Sequence, residues 1–550
     1  MAGNTIGFFN RLRTRQNVTL GEGTDVQRIE NTVILDYQSF ARGLNQAVPA
    51  SRLPEGFMSY VQNHDIDERD RLVRVPGIVV DETFTGGRAP KYMWVLGNPA
   101  TGLSELVFID GAFLGVRGPT GAPTTWTNLS LSTGFEWVSC VHGDLLILTN
   151  GVGVVRYKQP LATSFVSLSW GPARALMSFA GRIFAGGVQD GGSYVPLGIT
   201  WTGATGQPND LGAGSGFEEL LDDTGNGDAI VAMRSLNFDI AAILTKNAVW
   251  VARRTGDAFR PADFSPVVGA DGALTNASVV RVPGGVAYLS ARDVILFDGN
   301  TTRSISLPIN SMLYPLDLSR IDEYSLNFVE SRKVLQVLTP TRMFEYSFVY
   351  QRWMMSTVRA LRAVNTGTDF ETLFGGMVGS GLGAGFIGGW GTVWGRSWGT
   401  RTETGGGGGS GTRGLDTTIY LRGSTLGIEQ AGATAFFGEE FTSIVDTQLQ
   451  LAQSLDTVVS IKRIIIEYSG RGGQIQVYLP DYAGGWTLVR TITLPASVEP
   501  RSVTYTVRRA GKLAGLRIAT LVGEIAIGRV QAEVEMRSQD RTGGTSGGTL

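Results

Sequence analysis

The sequence predicts an all-β protein, a β-propeller of five or six blades with an added β-sandwich-like domain at its C-terminal end. Three observations carry this. From 92 to 357, short apolar runs alternate with Gly, Asn, Asp or Pro turns, for example at 106–109, 145–148, 183–187, 240–244, 286–289, 334–338 and 346–350; this is the spacing of strands. Long helical periodicity is nearly absent there. The runs also recur as a unit of strand, turn, strand, turn and a third strand ending in an aromatic or Phe-Asp pair. Copies lie at 135–159, 173–201, 227–254, 276–300 and 323–357, with a poorer one at 92–130. One small sheet cannot bury both its faces, but sheets stacked around an axis can, and short outer strands protect their edges. One or two β-sandwiches are the alternative reading of the same pattern.

Residues 1–80 read as an extended arm, with β-like runs at 17–20 and 32–35 and with Pro49, Pro54 and Pro76 breaking any long helix. The propeller is expected over 81–400. Its last part, 373–399, is rich in Gly and Trp, with Arg396 interrupting it, and reads as tight turns closing a sheet. Residues 401–415, with consecutive glycines at 405–409, read as a flexible loop. Over 416–537 the sandwich-like domain is expected, with strands at 461–468, 474–478, 486–494, 502–507 and 516–519 divided by Gly-Arg-Gly-Gly, Ala-Gly-Gly and Pro. The Gly/Thr-rich end, 538–550, reads as disordered.

Composition bounds the function. With 42% hydrophobic and 17% charged residues, the chain has material for a large core. Lys plus Arg is 47 and Asp plus Glu is 49, a net charge of −2, which argues against a nucleic-acid surface spread over the whole chain. Cys140 is alone, so no internal disulfide forms. His64 and His142 are the only histidines, which excludes a three-histidine zinc site. The absence of a long apolar run leads us to expect neither a secretion leader nor a membrane span.

Few constellations point to chemistry. Asp222, Asp223, Asn226 and Asp228 form an acidic loop with the composition of a cation site, but the more distant ligand of a calcium loop is missing. Asp65, Asp67 and Asp70 beside His64 lack the central Gly of such a loop and read as a solvated turn. The glycine runs do not match a phosphate cradle, and no nucleophile elbow is followed by an acid and a His. The expectation is a protein that is not an enzyme and has no cofactor or metal. Glu218/Glu219 and Glu439/Glu440 are adjacent pairs compatible with a polysaccharide-active propeller enzyme, the least favoured reading. Trp398, Tyr482 and Trp486 are candidates for an aromatic platform that contacts a partner or a glycan. Arg11, Arg13, Arg15, Arg508 and Arg509 are candidate channel or interface arginines, able to touch a phosphate backbone without reading bases.

One segment carries a resemblance. Gly43-Leu44-Asn45, Pro49, Leu53-Pro54-x-Gly56, Asn63, Ile66 and Leu72-x-Arg74-x-Pro76-Gly77 resemble the opening of tailed-bacteriophage tail nozzle and head-completion (packaged-DNA stabilisation) proteins, where such a run leads into a β-propeller. Segments 174–187, 244–252 and 289–299 are similar to the strands that follow. The resemblance spans roughly residues 40 to 360 and leaves the glycine-rich region and the last domain uncovered. It implies a structural virion protein, a tail nozzle or head–tail connector ring, commonly sixfold, around the DNA exit channel. The implied partners are the portal/adaptor on one side, tail or receptor-binding proteins on the other, and passing double-stranded DNA contacted non-specifically. The implied location is the virion, after assembly in the host cytoplasm. A near-neutral lumen would let DNA slide. The alternative is a tail fibre or baseplate module that binds partner proteins or glycans.

Overall fold

The computed structural model describes residues 31–365 and 418–538, except 38–39, 55, 99–102, 119–122, 130–135, 161, 221–226, 431–432, 448–449, 452–456, 481–484 and 512. Six four-stranded antiparallel sheets follow one another along the chain. Blade one holds Tyr92–Asn98, Leu103–Asp110, Phe113–Arg117 and Thr125–Asn128. Blade two holds Val138–His142, Leu145–Thr149, Arg156–Lys158 and Val166–Ser167. The innermost strands of blades three to six are Ala175–Phe179, Ile230–Ser235, Val279–Val282 and Ser325–Val329.

A seventh blade closes the ring. It takes Arg362–Asn365, Thr418–Arg422 and Thr425–Gln430 from the late chain, and Gly77–Thr83 from the early chain pairs antiparallel with the last of these. Its inner strand lies between those of blades six and one. The count is therefore seven, not the five or six that the repeat predicts. The extra blade escapes the sequence pattern because its strands come from both ends of the propeller and from both sides of 366–417. Strand patterns are local, whereas this pairing joins residues some 350 positions apart and fastens the circle.

Apolar packing follows the ring. Among the described residues seven buried clusters appear, and each spans one blade–blade boundary. Phe184 and Met233 share the cluster of blades three and four, and Ile147 and Ile183 share that of blades two and three. The cluster between blades five and six is different. It runs on through Phe40, Leu44 and Met58 into the core of the second domain. The two domains thus share one apolar core.

The second domain is a curled sheet, sandwich-like in its two facing halves. Thr457–Pro480 and Arg517–Ser538 pair along almost their whole length. One half of this ribbon is flanked by Ser497–Gly511 and Asn31–Tyr37. The other half is flanked by Trp486–Leu494 and Ser443–Asp446. The expected turn at Gly-Arg-Gly-Gly is not a turn, because the single strand Thr457–Pro480 continues through it. Gly470 and Gly472 there, and Gly523 opposite, take positive φ values of 126°, 87° and 99°. These values and the accompanying bulges bend the ribbon sharply. Ile464, Ile466, Ile475, Val477, Ile518 and Val530 then face a common interior. Among the described residues α-helix is confined to Asn310–Leu313.

Candidate functional site

Two places gather polar side chains from distant parts of the sequence. The first is a clasp where the early segment meets blade six and the second domain. Gly43–Leu44 pairs in parallel with Phe57–Met58. Gly43 has φ +73°, and a Cβ there would stand 2.6 Å from the Trp353 carbonyl oxygen; only glycine fits. Asn63 is fully buried. Its Nδ2 donates to Thr357 Oγ1 and to the Thr442 carbonyl, both at 2.9 Å, and its Oδ1 accepts from the Thr357 amide at 2.7 Å. One side chain therefore ties blade six to the second domain. Arg74 donates to the Phe441 carbonyl and lies over that ring, 4.3 Å from its centroid. Arg352 donates to the Ala41 and Ile66 carbonyls.

His64 is buried in this clasp, in register with Arg74. Burial, with a further push from Arg74, lowers its pKa to about 4. Unfolded, the imidazole titrates near 6.5, so the folded state excludes its charged form. The stability this contributes is complete above pH 6.5 and is lost as pH falls towards 4. The expected loss is about 3 kcal/mol. Denaturant midpoints measured across pH 7 to 4 check this, and His64→Gln should flatten that slope.

The second place is the propeller axis. Inner strands of blades one, two, four, five, six and seven line a cavity of about 820 Å³. Glu136 stands just before the inner strand of blade two. Its carboxylate accepts from the amides of Asn276 at 3.1 Å and Ala277 at 2.9 Å, just before the inner strand of blade five. Blades three and four separate these two, so the contact bridges the ring. Arg234 of blade four donates to the Asn276 side chain at 2.9 Å and to the Asn276 and Val279 carbonyls. Arg362 of blade seven donates to the carbonyls of Leu361 and Asp322. Burial raises the pKa of Glu136, opposed by Arg362, by the two amides and by Arg234. Burial lowers that of Arg362, opposed by Glu136.

The sequence candidates are placed elsewhere. Asp228 is buried and accepts from the Thr245 hydroxyl and the Asn247 amide, which ties down the neighbouring hairpin. Asp222, Asp223 and Asn226 lie outside the described residues, as do Trp398, Tyr482, Arg11, Arg13 and Arg15. Trp486 is half-buried, and Arg517, itself held by Asp446, lies 4.8 Å from its ring centroid. Arg508 and Arg509 are on the strand Ser497–Gly511. His142 joins blade two to blade three through Ser178 Oγ at 2.8 Å and the Gly206 carbonyl at 2.9 Å. Among the described residues no group of three His, Cys, Asp or Glu is placed to hold a metal ion, and no helix is long and apolar enough to cross a membrane.

The axial residues were not found from sequence. Glu136, Arg234, Arg281 and Arg362 belong to separate blades and form no motif. The signal that marks them is positional: each lies on or next to an innermost strand.

No protein-family model matches this sequence, and no curated protein matches it. Solved structures give weak likenesses. PorZ, an essential bacterial surface component of the type-IX secretion system of Porphyromonas gingivalis, is 11% identical with a TM-score of 0.35, over 75% of this chain and 46% of PorZ. The extracellular domain of a putative hybrid two component system from B. thetaiotaomicron is 9% identical with a TM-score of 0.39, over 84% of this chain and 63% of that one. The computationally designed Ika8 protein is 12% identical with a TM-score of 0.31, over 50% of this chain and 74% of that one. The chain spans less than two thirds of the first and of the second of these structures. At these scores the likenesses carry no functional argument.

Proposed function

We propose that this chain is a structural virion protein of a tailed phage, a subunit of a nozzle or connector ring that joins a portal/adaptor to tail or receptor-binding components. One observation supports the reading. The residues that carry the resemblance, among them Gly43, Leu44, Asn63, Leu72 and Arg74, come together in the clasp and do architectural work there. They make propeller and curled sheet one body with a continuous core. A ring subunit that bears load needs that stiffness. Because Glu136 bridges the propeller axis, DNA would pass through a lumen formed between copies, contacted non-specifically. In this reading the chain is not an enzyme, carries no cofactor and resides in the virion after assembly in the host cytoplasm.

A second reading, a surface module holding a partner protein or glycan, is favoured by exposed apolar side chains on the second domain, Val498 at 99%, Val522 at 58% and Leu488 at 45%. Mass measurement and electron microscopy of the purified chain over a range of concentrations separate the two. The ring reading expects closed assemblies of several copies. A chain that stays monomeric at every concentration, with or without portal protein, speaks for the second reading.

A further inference from the structure

The clasp continues into the seam between blades six and seven, where the ring closes. We propose that the polar network of this seam is a proton-operated latch: a proton held among Asp65, Glu345 and Glu429 keeps the seam shut, and its loss as pH rises loosens it. The proposal goes beyond the virion reading and does not depend on it.

The network runs from one blade to the other. Arg332 stands in the turn between Ser325–Val329 and Val334–Leu338 of blade six. Its guanidinium donates to Glu345 of the same blade at 3.2 Å and to Glu429 of blade seven at 3.4 Å. Gln336, fully buried, donates to Glu345 and to the Tyr420 hydroxyl of blade seven, both at 2.9 Å. That hydroxyl donates in turn to Glu429 at 3.4 Å. Asp65 of the early segment acts on the same guanidinium. A second one, Arg352, acts on Asp65 but answers also to Asp67 and Asp70. Tyr420 is held well above the usual phenol range by burial and stays neutral. Three carboxylates thus share Arg332, and no full second counter-charge is theirs.

Full ionisation of such a set is unfavourable, because like charges repel strongly where water is scarce. Burial, and then Glu345, pushes the Asp65 carboxyl up, against Arg332. Burial pushes Glu429 up too, again with Glu345 adding and Arg332 opposing. In the unfolded chain such carboxyls titrate near about 4. Above that pH the folded seam therefore holds more protons than the unfolded chain. The stability this contributes is complete below about pH 4 and is lost as pH rises through the raised folded values, the opposite sense to His64. Glu345 and Glu429 stand on the two sides of the seam, so their repulsion acts where Gly77–Thr83 and Thr425–Gln430 close the ring.

Hydrogen exchange of the full chain and of Glu429→Gln at pH 5 and pH 8.5, corrected for intrinsic amide rates, tests this. His64 titrates in both chains and cancels in the comparison. At pH 5 the two should protect Gly77–Thr83 and Thr425–Gln430 alike. At pH 8.5 the wild type should exchange there roughly tenfold faster than the variant, the linkage of a one-unit shift, with blades three and four unchanged. Asp65→Asn reads the same requirement if Glu429→Gln does not fold. Wild-type protection of the seam that does not fall between pH 5 and 8.5 relative to blades three and four, a wild-type to variant difference equal at both pH values, or one spread over every blade would overturn the proposal.

Discussion

Trp353→Ala is expected to cost about 3–5 kcal/mol and to loosen both domains together. Trp353 is 1% exposed. It sits in the cluster that continues from blades five and six into the curled sheet. Its indole N–H donates to the Ile305 carbonyl at 2.7 Å, and its ring lies 5.1 Å from that of Tyr346. Truncation leaves a cavity at the junction and orphans a buried carbonyl, so transfer and hydrogen-bond losses add. Equilibrium denaturation followed by two probes, one in each domain, checks this. Both midpoints should fall together, and Trp353→Phe should lose less. A shift confined to one probe would show that the shared core does not couple the domains.

Lys158→Met should be nearly as damaging. Lys158 of blade two and Glu105 of blade one pair across the blade boundary, with side-chain exposures of 0% and 2%. Burial pushes the ammonium pKa down, while Glu105 holds it up. Removing the lysine strips the buried Glu105 carboxylate of this ammonium, a loss of about 3–5 kcal/mol. Adding Glu105→Leu should recover most of it, because two buried charges replaced by apolar groups no longer need desolvating. The thermal midpoints of the single and double variants measure this. A double variant no more stable than Lys158→Met would mean that the pair is held by its surroundings rather than by its charges.

The legible part of the fold was the part written locally. Most strands of blades three to six lie where the apolar runs place them, since alternation and turn residues act over a few positions; the run at 346–350 is an exception, because the strand there is Met343–Ser347 and the chain turns at 348–351. Blade seven was not legible, because Gly77–Thr83 finds its partner only at Thr425–Gln430. From sequence the Gly-Arg-Gly-Gly segment reads as a turn, because glycine marks bends as well as breaks, and only the opposing Gly523 shows which. Site residues fared similarly. Asp228 looks like a cation ligand beside other acids, yet its carboxylate is taken up by Thr245 and Asn247. Glu136 sits in an unremarkable stretch and becomes a bridge only when blades two and five face each other.

By itself, the sequence determined that the propeller is built of short strands, that no disulfide forms within these residues and that histidine chemistry has two residues to draw on. These follow from residue type and near spacing. Only the tertiary structure decided the number of blades, the fusion of propeller and curled sheet through one core, and the gathering of three arginines and a glutamate on the axis. Ring closure decides such things because it brings together residues whose separation along the chain carries no periodic signal.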